Sequence, residues 1–337
     1  MVTLPDGETR HDDARAPRDA TPPGLRADFL RELLVAPAGP LGRLEVVEES
    51  TSTNGELARA VAADAAAWPA PSLLVAEHQA AGRGRLGRTW TTPPRTALLG
   101  SLLLRPGVPT ETLSWLPLLA GLATVRALRA TASVEAVVKW PNDVLVPDPH
   151  ALSARHDGGT RPGADSEGAP SPVSAPQDTG ASHGADTSGG GLRKVAGILA
   201  EVLPDGAVVV GVGLNVTQSR DELPVSTATS LALAGAATTD REVLLVALAE
   251  AFHEVIVRWQ DADGDARAAG LDADCAEVCA TLGARVRVET VDGGEVHGTA
   301  VALAPDGGLV VRHDDGTTSV RRSGDVHHLR PADPADG

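Results

Sequence analysis

Between Leu152 and Leu192 the chain contains one large apolar residue, Val173; the rest is Gly, Ser, Ala, Pro, Asp and other small or polar residues. Such a stretch cannot bury enough surface to offset the conformational entropy it would lose on ordering. Residues 147–192 therefore read as a disordered insertion, and whatever folds must be assembled from the segments on either side of it. Its histidines, His150, His156 and His183, read as solvated loop residues rather than metal ligands. Residues 1–24, polar and proline-containing, read as a disordered tail. Of 337 residues, enough remain for two compact units.

Those units must pack with aliphatic side chains, because hydrophobic residues make up 42% of the chain while aromatics are 2% and Tyr is absent. A net charge of −16 argues against a nucleic-acid binder. Cys275 and Cys279 have no further ligands around them for a zinc site and no partners for a disulfide framework, which fits a reducing compartment. No run reaches the length of a membrane span, and the N-terminal residues lack the apolar stretch of a secretory signal. The expectation is a cytoplasmic protein with no nucleic-acid or membrane partner.

Hydrophobic periodicity predicts a short helix around Leu25–Leu34 and strands at Leu44–Val47, Ser72–Glu77, Thr96–Leu104 and Val134–Trp140. Thr53 and Glu56 have capping-box spacing and should start a helix reaching about Ala67. Leu113–Ala130 reads as a long apolar helix. Lys194–Leu203 and Ala207–Gly213, joined by Pro204-Asp205-Gly206, form a hairpin. Helices follow over Asp240–Gln260 and, for the most part, Ala266–Leu282. From Ala284 the period changes to short strands separated by Asp292-Gly293-Gly294, Pro305-Asp306-Gly307-Gly308 and Asp314-Asp315-Gly316, the pattern of a small β-barrel of about 50 residues. The fold class is α/β (α+β), a mixed sheet flanked by helices followed by a small β domain.

Five segments carry chemistry. Gly82-Arg83-Gly84-Arg85-Leu86-Gly87-Arg88-Thr89-Trp90 contains G-x-G-x-x-G, but the Thr91-Thr92-Pro93-Pro94 that follows is a poor continuation for the helix a dinucleotide fold requires, and no acidic residue lies about 20 positions beyond the first Gly. What remains is a flexible loop whose amides and guanidiniums suit a phosphate, or a solvated basic turn. Lys139-Trp140-Pro141-Asn142-Asp143 ends a strand with polar groups at its mouth. Lys194-Val195-Ala196-Gly197-Ile198-Leu199-Ala200-Glu201 opens a strand with a lysine beside a glycine that admits a ligand. Gly211-Val212-Gly213-Leu214-Asn215 is a strand exit. Ser50-Thr51-Ser52-Thr53-Asn54 places hydroxyls and an amide at a helix start, as a simple cap would.

Taken in order, S-T-N, G-R-G-R-x-G-R-x-W, K-W-P-N-D, K-x-A-G-I-L-x-E and G-x-G-x-N resemble the biotin–protein ligase family over roughly Leu44–Leu231, the insertion excepted. The resemblance implies a catalytic domain over residues 25–282 with a central mixed sheet, and an SH3-like C-terminal domain over residues 283–331. It implies synthesis of biotinyl-5′-AMP from biotin and Mg-ATP, then transfer to a lysine of the biotin carboxyl carrier protein domain of acyl-CoA carboxylases. Carried over residue by residue, it assigns Ser52, Thr53, Asn54, Gln79, Gly82, Arg83, Arg85, Trp90, Lys194, Gly197 and Gly213 to biotin. It assigns Arg83, Arg85, Arg88, Lys139, Asn142, Asp143, Lys194 and Asn215 to the nucleotide, with Lys194 and Arg83 catalytic and Mg2+ near Asp143. The segment before Leu44 is too short and too poor in apolar residues for a winged helix-turn-helix, which suggests the monofunctional type. A lipoate or octanoate ligase, a non-catalytic biotin-binding protein and a nucleic-acid module built on Arg83, Arg85 and Arg88 are the competing readings. The sequence gives no oligomeric state.

Overall fold

The computed structural model describes residues 22–149, 191–290 and 293–329. The disorder expected of residues 1–24 and 147–192 falls mostly outside that set. In chain order the elements are α1 (Ala27–Leu34), β1 (Arg43–Val47), α2 (Thr53–Ala63), β2 (Ser72–Ala76), β3 (Gly82–Arg83), β4 (Thr89–Trp90), β5 (Ala97–Leu104), α3 (Leu116–Ala132), β6 (Val137–Lys139) and β7 (Asp143–Pro147). They continue with β8 (Leu192–Val202), β9 (Val208–Asn215), α4 (Arg241–Asp261), α5 (Leu271–Glu277), β10 (Arg285–Glu289), β11 (Glu295–Leu303), β12 (Leu309–Arg312), β13 (Thr318–Arg321) and β14 (Asp325–His328).

Seven strands form one mixed sheet in the order β1-β2-β5-β9-β8-β7-β6. Only β1 and β2 are parallel; the other pairs are antiparallel. Side chains alternate across a strand, so each strand feeds both faces. Leu73, Val75, Leu98, Leu104, Val208, Val210 and Leu214 pack into the large core beneath α3 and α4, whereas Leu74, Leu103 and Val209 join Leu57, Val61 and Trp68 under α2. Twelve of the 17 residues of α3 are buried, so this helix is apolar nearly all round rather than striped. The second sheet is antiparallel, in the order β13-β12-β11-β10-β14. Among the described residues no helix is long and apolar enough to cross a membrane. Cys275 and Cys279 are free and buried, and burial pushes the Cys275 thiol up to about 12.

Several local expectations need correcting. The helix at Thr53 has Ser52 as its N-cap and no side-chain cap bond, because the Thr53 side chain is engaged with Gln79 and Ser101 instead. It ends at Ala63, where Asp64 caps a separate 3-10 turn over Ala65–Ala67. Over Ala266–Leu282 only Leu271–Glu277 is helical, starting after Gly270 at φ 70°. The segment beyond it runs alongside β6, with Val138 N–H donating to Val278 O and Ala280 N–H to Val138 O, both at 2.8 Å. The arginine–glycine loop is closed at its base as a short hairpin, β3 pairing with β4. The insertion is also narrower than expected: Pro147 closes β7 and Leu192 opens β8.

Those two strands clasp the insertion at its base. Asp148 N–H donates to Gly191 O at 3.0 Å, and the buried Asp148 carboxylate pairs with Arg193 at 3.3 Å and with Arg220. Deleting residues 151–190 is therefore expected to move stability by only about 1–2 kcal/mol, since closure entropy grows slowly with loop length. Thermal unfolding of the deletion variant checks this, and a loss beyond that range would assign those residues a packing role.

Candidate active site

The face of the sheet that α2 leaves uncovered carries a cavity of about 640 Å3. Of the residues singled out from the sequence it collects Ser52, Thr53, Asn54, Gln79, Arg83, Arg85, Arg88, Trp90, Lys139, Asn142, Asp143, Lys194, Gly197, Gly213 and Asn215. Gly82 alone does not line it. Its backbone sits so close to Trp90 O and the Gln79 amide that a Cβ would not fit, so it serves the hairpin's packing. A second cavity of about 610 Å3 lies between α3 and α4, away from every one of these segments.

The floor is made of glycine. Gly197 and Gly213 are register partners on β8 and β9, and the Trp90 indole lies across them. A Cβ on Gly213 would fall 2.7 Å from an indole carbon, and one on Gly197 would fall 2.9 Å from another. The glycines thus make room for an indole, where the sequence reading had them make room for a ligand. The indole Nε1 is buried with no hydrogen-bond partner among the described residues.

At one end, the start of α2 is held by a buried polar chain. Thr53 N–H donates to Gln79 Oε1 at 2.8 Å, and the Ser101 hydroxyl lies 2.7 Å from Thr53 Oγ1 and 2.6 Å from Asn54 Oδ1. Asn54 Nδ2 donates to Leu199 O at 3.1 Å and to Glu201 Oε2 at 2.7 Å. The Thr53 hydroxyl donates to Gln79 Oε1 at 3.1 Å, so the single Ser101 proton is shared between Thr53 Oγ1 and Asn54 Oδ1. Gly211 lets this happen, since a Cβ there would overlap the Asn54 amide. Ser101 was missed in the sequence because it lies within an apolar strand. Glu201 closes K-x-A-G-I-L-x-E and could have been found there. Arg83 is exposed beside the same helix start; a Cβ on Gly55 would lie 2.7 Å from its guanidinium.

The other end is charged. The β7–β8 register shifts between Val144 and Leu145, so that Val195 and Ala196 both enter the core and Lys194 is turned onto the cavity side. Its Nζ lies 2.6 Å from Asp143 Oδ1 and 5.5 Å from the Trp90 ring centre. Lys139 lines the same end and is buried. Asn142 donates to Ile198 O at 2.7 Å and accepts from Arg85 Nη1 at 3.2 Å. Asn215 donates to Thr229 O at 3.0 Å and accepts from Gln218 at 3.1 Å, so it holds the segment that brings Pro224–Ala228 over the cavity. Burial draws the Arg85 pKa down, with Asp325 and Asp143 acting the other way. The cavity thus runs from the polar start of α2, with Arg83 beside it, across the glycine floor and its indole to an end lined by Arg85, Arg88, Lys139 and Lys194.

Residues 47–217 match the Biotin/lipoate A/B protein ligase family, and residues 281–329 match the Biotin protein ligase C terminal domain. Over 93% of its length the chain is 35% identical to the biotin–[acetyl-CoA-carboxylase] ligase of Mycobacterium tuberculosis, 99% of which it covers. The chain belongs to the biotin protein ligase family. It is a ligase enzyme with the mixed sheet and C-terminal antiparallel sheet of that family. It is also 28% identical to the bifunctional ligase/repressor BirA of Bacillus subtilis over 58% of this chain and 47% of that protein. In fold it resembles the biotin protein ligase from Aquifex aeolicus in complex with biotin and ATP, with TM-score 0.59 and 24% identity over 86% of this chain and 99% of that one.

Proposed function

We propose that this ligase joins biotin to ATP and then passes the biotinyl group to a lysine of a biotin carboxyl carrier protein domain of an acyl-CoA carboxylase. The observation that carries the reading is the cavity in which an indole on a glycine floor adjoins five cations. In the first half-reaction a biotin carboxylate oxygen attacks the α-phosphorus of ATP and pyrophosphate leaves. In the second, the carrier amine attacks the acyl carbon and AMP leaves with the anhydride oxygen.

Each residue class has a physical task in that chemistry. Bringing a carboxylate onto a phosphate opposes two anions, and fixed cations offset that repulsion best where water is excluded. Lys194 and Arg83 are the residues we assign to the reacting oxygens. Arg85, Arg88, Lys139, Asn142, Asp143 and Asn215 serve the nucleotide side. Ser52, Thr53, Asn54, Gln79, Trp90, Gly197 and Gly213 serve the biotin side. Among the described residues no three His, Cys, Asp or Glu form a metal cluster. Mg2+, which usually takes one or two carboxylates and substrate phosphates, would have Asp143 beside ATP and would neutralise the triphosphate. We assign catalysis to residues 25–282, the second sheet to the C-terminal domain over 283–331, and the cytoplasm as the compartment, which suits two free thiols.

Gly213→Ala is expected to displace the indole and raise the KM for biotin by on the order of ten- to a hundredfold, the range of 1–3 kcal/mol typical of overpacking. The KM for ATP should change little, the thermal midpoint should fall by at most several degrees, and steady-state kinetics with both substrates checks the split. The reading as a whole is tested by incubating the protein with Mg-ATP and biotin, following pyrophosphate, then adding a purified carrier domain and detecting bound biotin. Lipoate or octanoate run in parallel should give neither signal; signal from them alone would replace biotin as the substrate.

A further inference from the structure

The second sheet contributes a carboxylate to the cavity. Asp325 is the first residue of β14, and it lines the site together with Val326 and His327. Its place is set by the residue before it. Gly324 has φ 138°, and a Cβ there would lie 2.6 Å from Glu289 O, so the chain enters β14 tightly against β10, with which it pairs at Glu289 and Asp325. Only glycine takes that conformation without strain. The carboxylate so placed accepts a hydrogen bond from Arg88 Nη2, and Gly324 O accepts one from Arg85 Nη1 at 3.5 Å. Arg85 and Arg88 flank the tip of the β3–β4 hairpin, where Leu86 and Gly87 both take positive φ, at 55° and 74°. A tip turned in this way projects Leu86 into solvent, 55% exposed, so the tip, unlike the Trp90 end of the hairpin, has no apolar anchor at Leu86. The polar contacts from Gly324, Asp325 and Asn142 are what tie the two arginines down.

We propose that Asp325 is a positioning residue. Its carboxylate anchors Arg88, and with it the 82–90 hairpin, to the C-terminal sheet, and it is exchanged for phosphate oxygens when the nucleotide enters. The exchange is one of like for like, since a guanidinium binds carboxylate and phosphate by the same fork of N–H donors. It is also reversible on electrostatic grounds. Arg88 is 63% exposed, so its pair with Asp325 is weakened by solvent, and a triphosphate carrying several charges outcompetes it. The hairpin is thereby ordered before ATP arrives as well as after, and the carboxylate sets how much phosphate charge is needed to take it over. The phosphate part of this statement rests on the reading of the cavity as a nucleotide site; the anchoring part does not.

The test separates the two. Trypsin cleaves after Arg85 and Arg88, so its rate at the hairpin reports the anchor with no substrate present. D325N, which keeps the shape and removes the charge, should raise cleavage at these positions severalfold while leaving cleavage elsewhere unchanged. R88A, made on the exposed side where folding is not at stake, should raise cleavage after Arg85 in the same way. D325E should restore protection in part. Inorganic tripolyphosphate, used as the anion probe, should protect D325N at a lower concentration than the wild type. In pyrophosphate-release kinetics D325N should lower the KM for ATP by up to about fivefold, the worth of one partly exposed ion pair, with the KM for biotin unchanged and no further effect in the R88A background. Wild-type cleavage in both D325N and R88A, or a general rise in cleavage across the chain, would overturn the proposal. An equal effect of D325N on the KM for ATP with and without Arg88 would also overturn it. Should no biotin-dependent pyrophosphate release occur in the wild type while the proteolysis results hold, the ligase reading fails and the anchor stands.

Discussion

Lys194→Ala is expected to slow adenylate formation a few hundredfold while the protein stays folded. A charge-assisted contact made mainly in the transition state is worth about 3–4 kcal/mol. The geometry gives Lys194 that opportunity, because the irregularity between β7 and β8 takes it off the helix-covered face and sets its Nζ against Asp143 at 2.6 Å beside the Trp90 ring. The carboxylate left behind is 22% exposed, so water can take the place of the amine and the fold is not put at risk. Single-turnover pyrophosphate release is the measurement. A mutant at near wild-type rate would remove Lys194 from the chemistry, and one with a lowered thermal midpoint would make it a structural ion-pair partner instead.

Arg241→Ala should have the largest effect on stability. Arg241 and Glu77 form a pair at 2.5 Å with side chains only 6% and 3% exposed. The same two residues hold the chain entering α1: Arg241 donates to Pro23 O at 2.6 Å, and Glu77 accepts from Leu25 N–H at 2.5 Å. Removing one partner of a buried pair typically costs about 3–5 kcal/mol, because the other charge stays buried without compensation. At about 2–4 °C per kcal/mol for a chain of this class, the midpoint should fall by roughly 10 °C. Combining Arg241→Met with Glu77→Gln should recover much of that loss. If the single and double variants melt alike, the charge pairing is not what stabilises this corner.

Much of this was legible in the sequence, and the parts that were not have identifiable causes. Strands with several consecutive aliphatics, such as Ala97–Leu104 and Val208–Asn215, announce themselves by period and composition, and every site residue named from the motifs lines the cavity except Gly82. What escaped depends on tertiary pairing. β7 could not be separated from the insertion, because Asp143–Pro147 is short and becomes a strand only by pairing with β6 and β8. The turning of Lys194 toward the cavity comes from a one-residue shift in register that leaves no mark on composition. Thr53 was given to a helix cap because its spacing to Glu56 fits one; in the folded chain Gln79 and Ser101, distant in sequence, compete for its side chain and win. Asp325 carries no local signal at all, since its meaning comes from where a second sheet docks.

The segment Val278–Ala280 extends the seven-stranded sheet past β6, yet it belongs by sequence to the passage between the two sheets. A strand edge left open is a template for other chains, and proteins ordinarily cover or disrupt it. Here the cover is the connecting segment itself, reinforced by Trp140, whose backbone N–H donates to Thr281 Oγ1 at 3.0 Å and whose indole donates to Gly307 O at 2.9 Å. Cutting the chain before Val278 would therefore do more than remove a small domain. It would strip the lid from a hydrogen-bonding edge directly behind Lys139 and Asn142, so a shortened ligase would be as prone to self-association as to loss of activity.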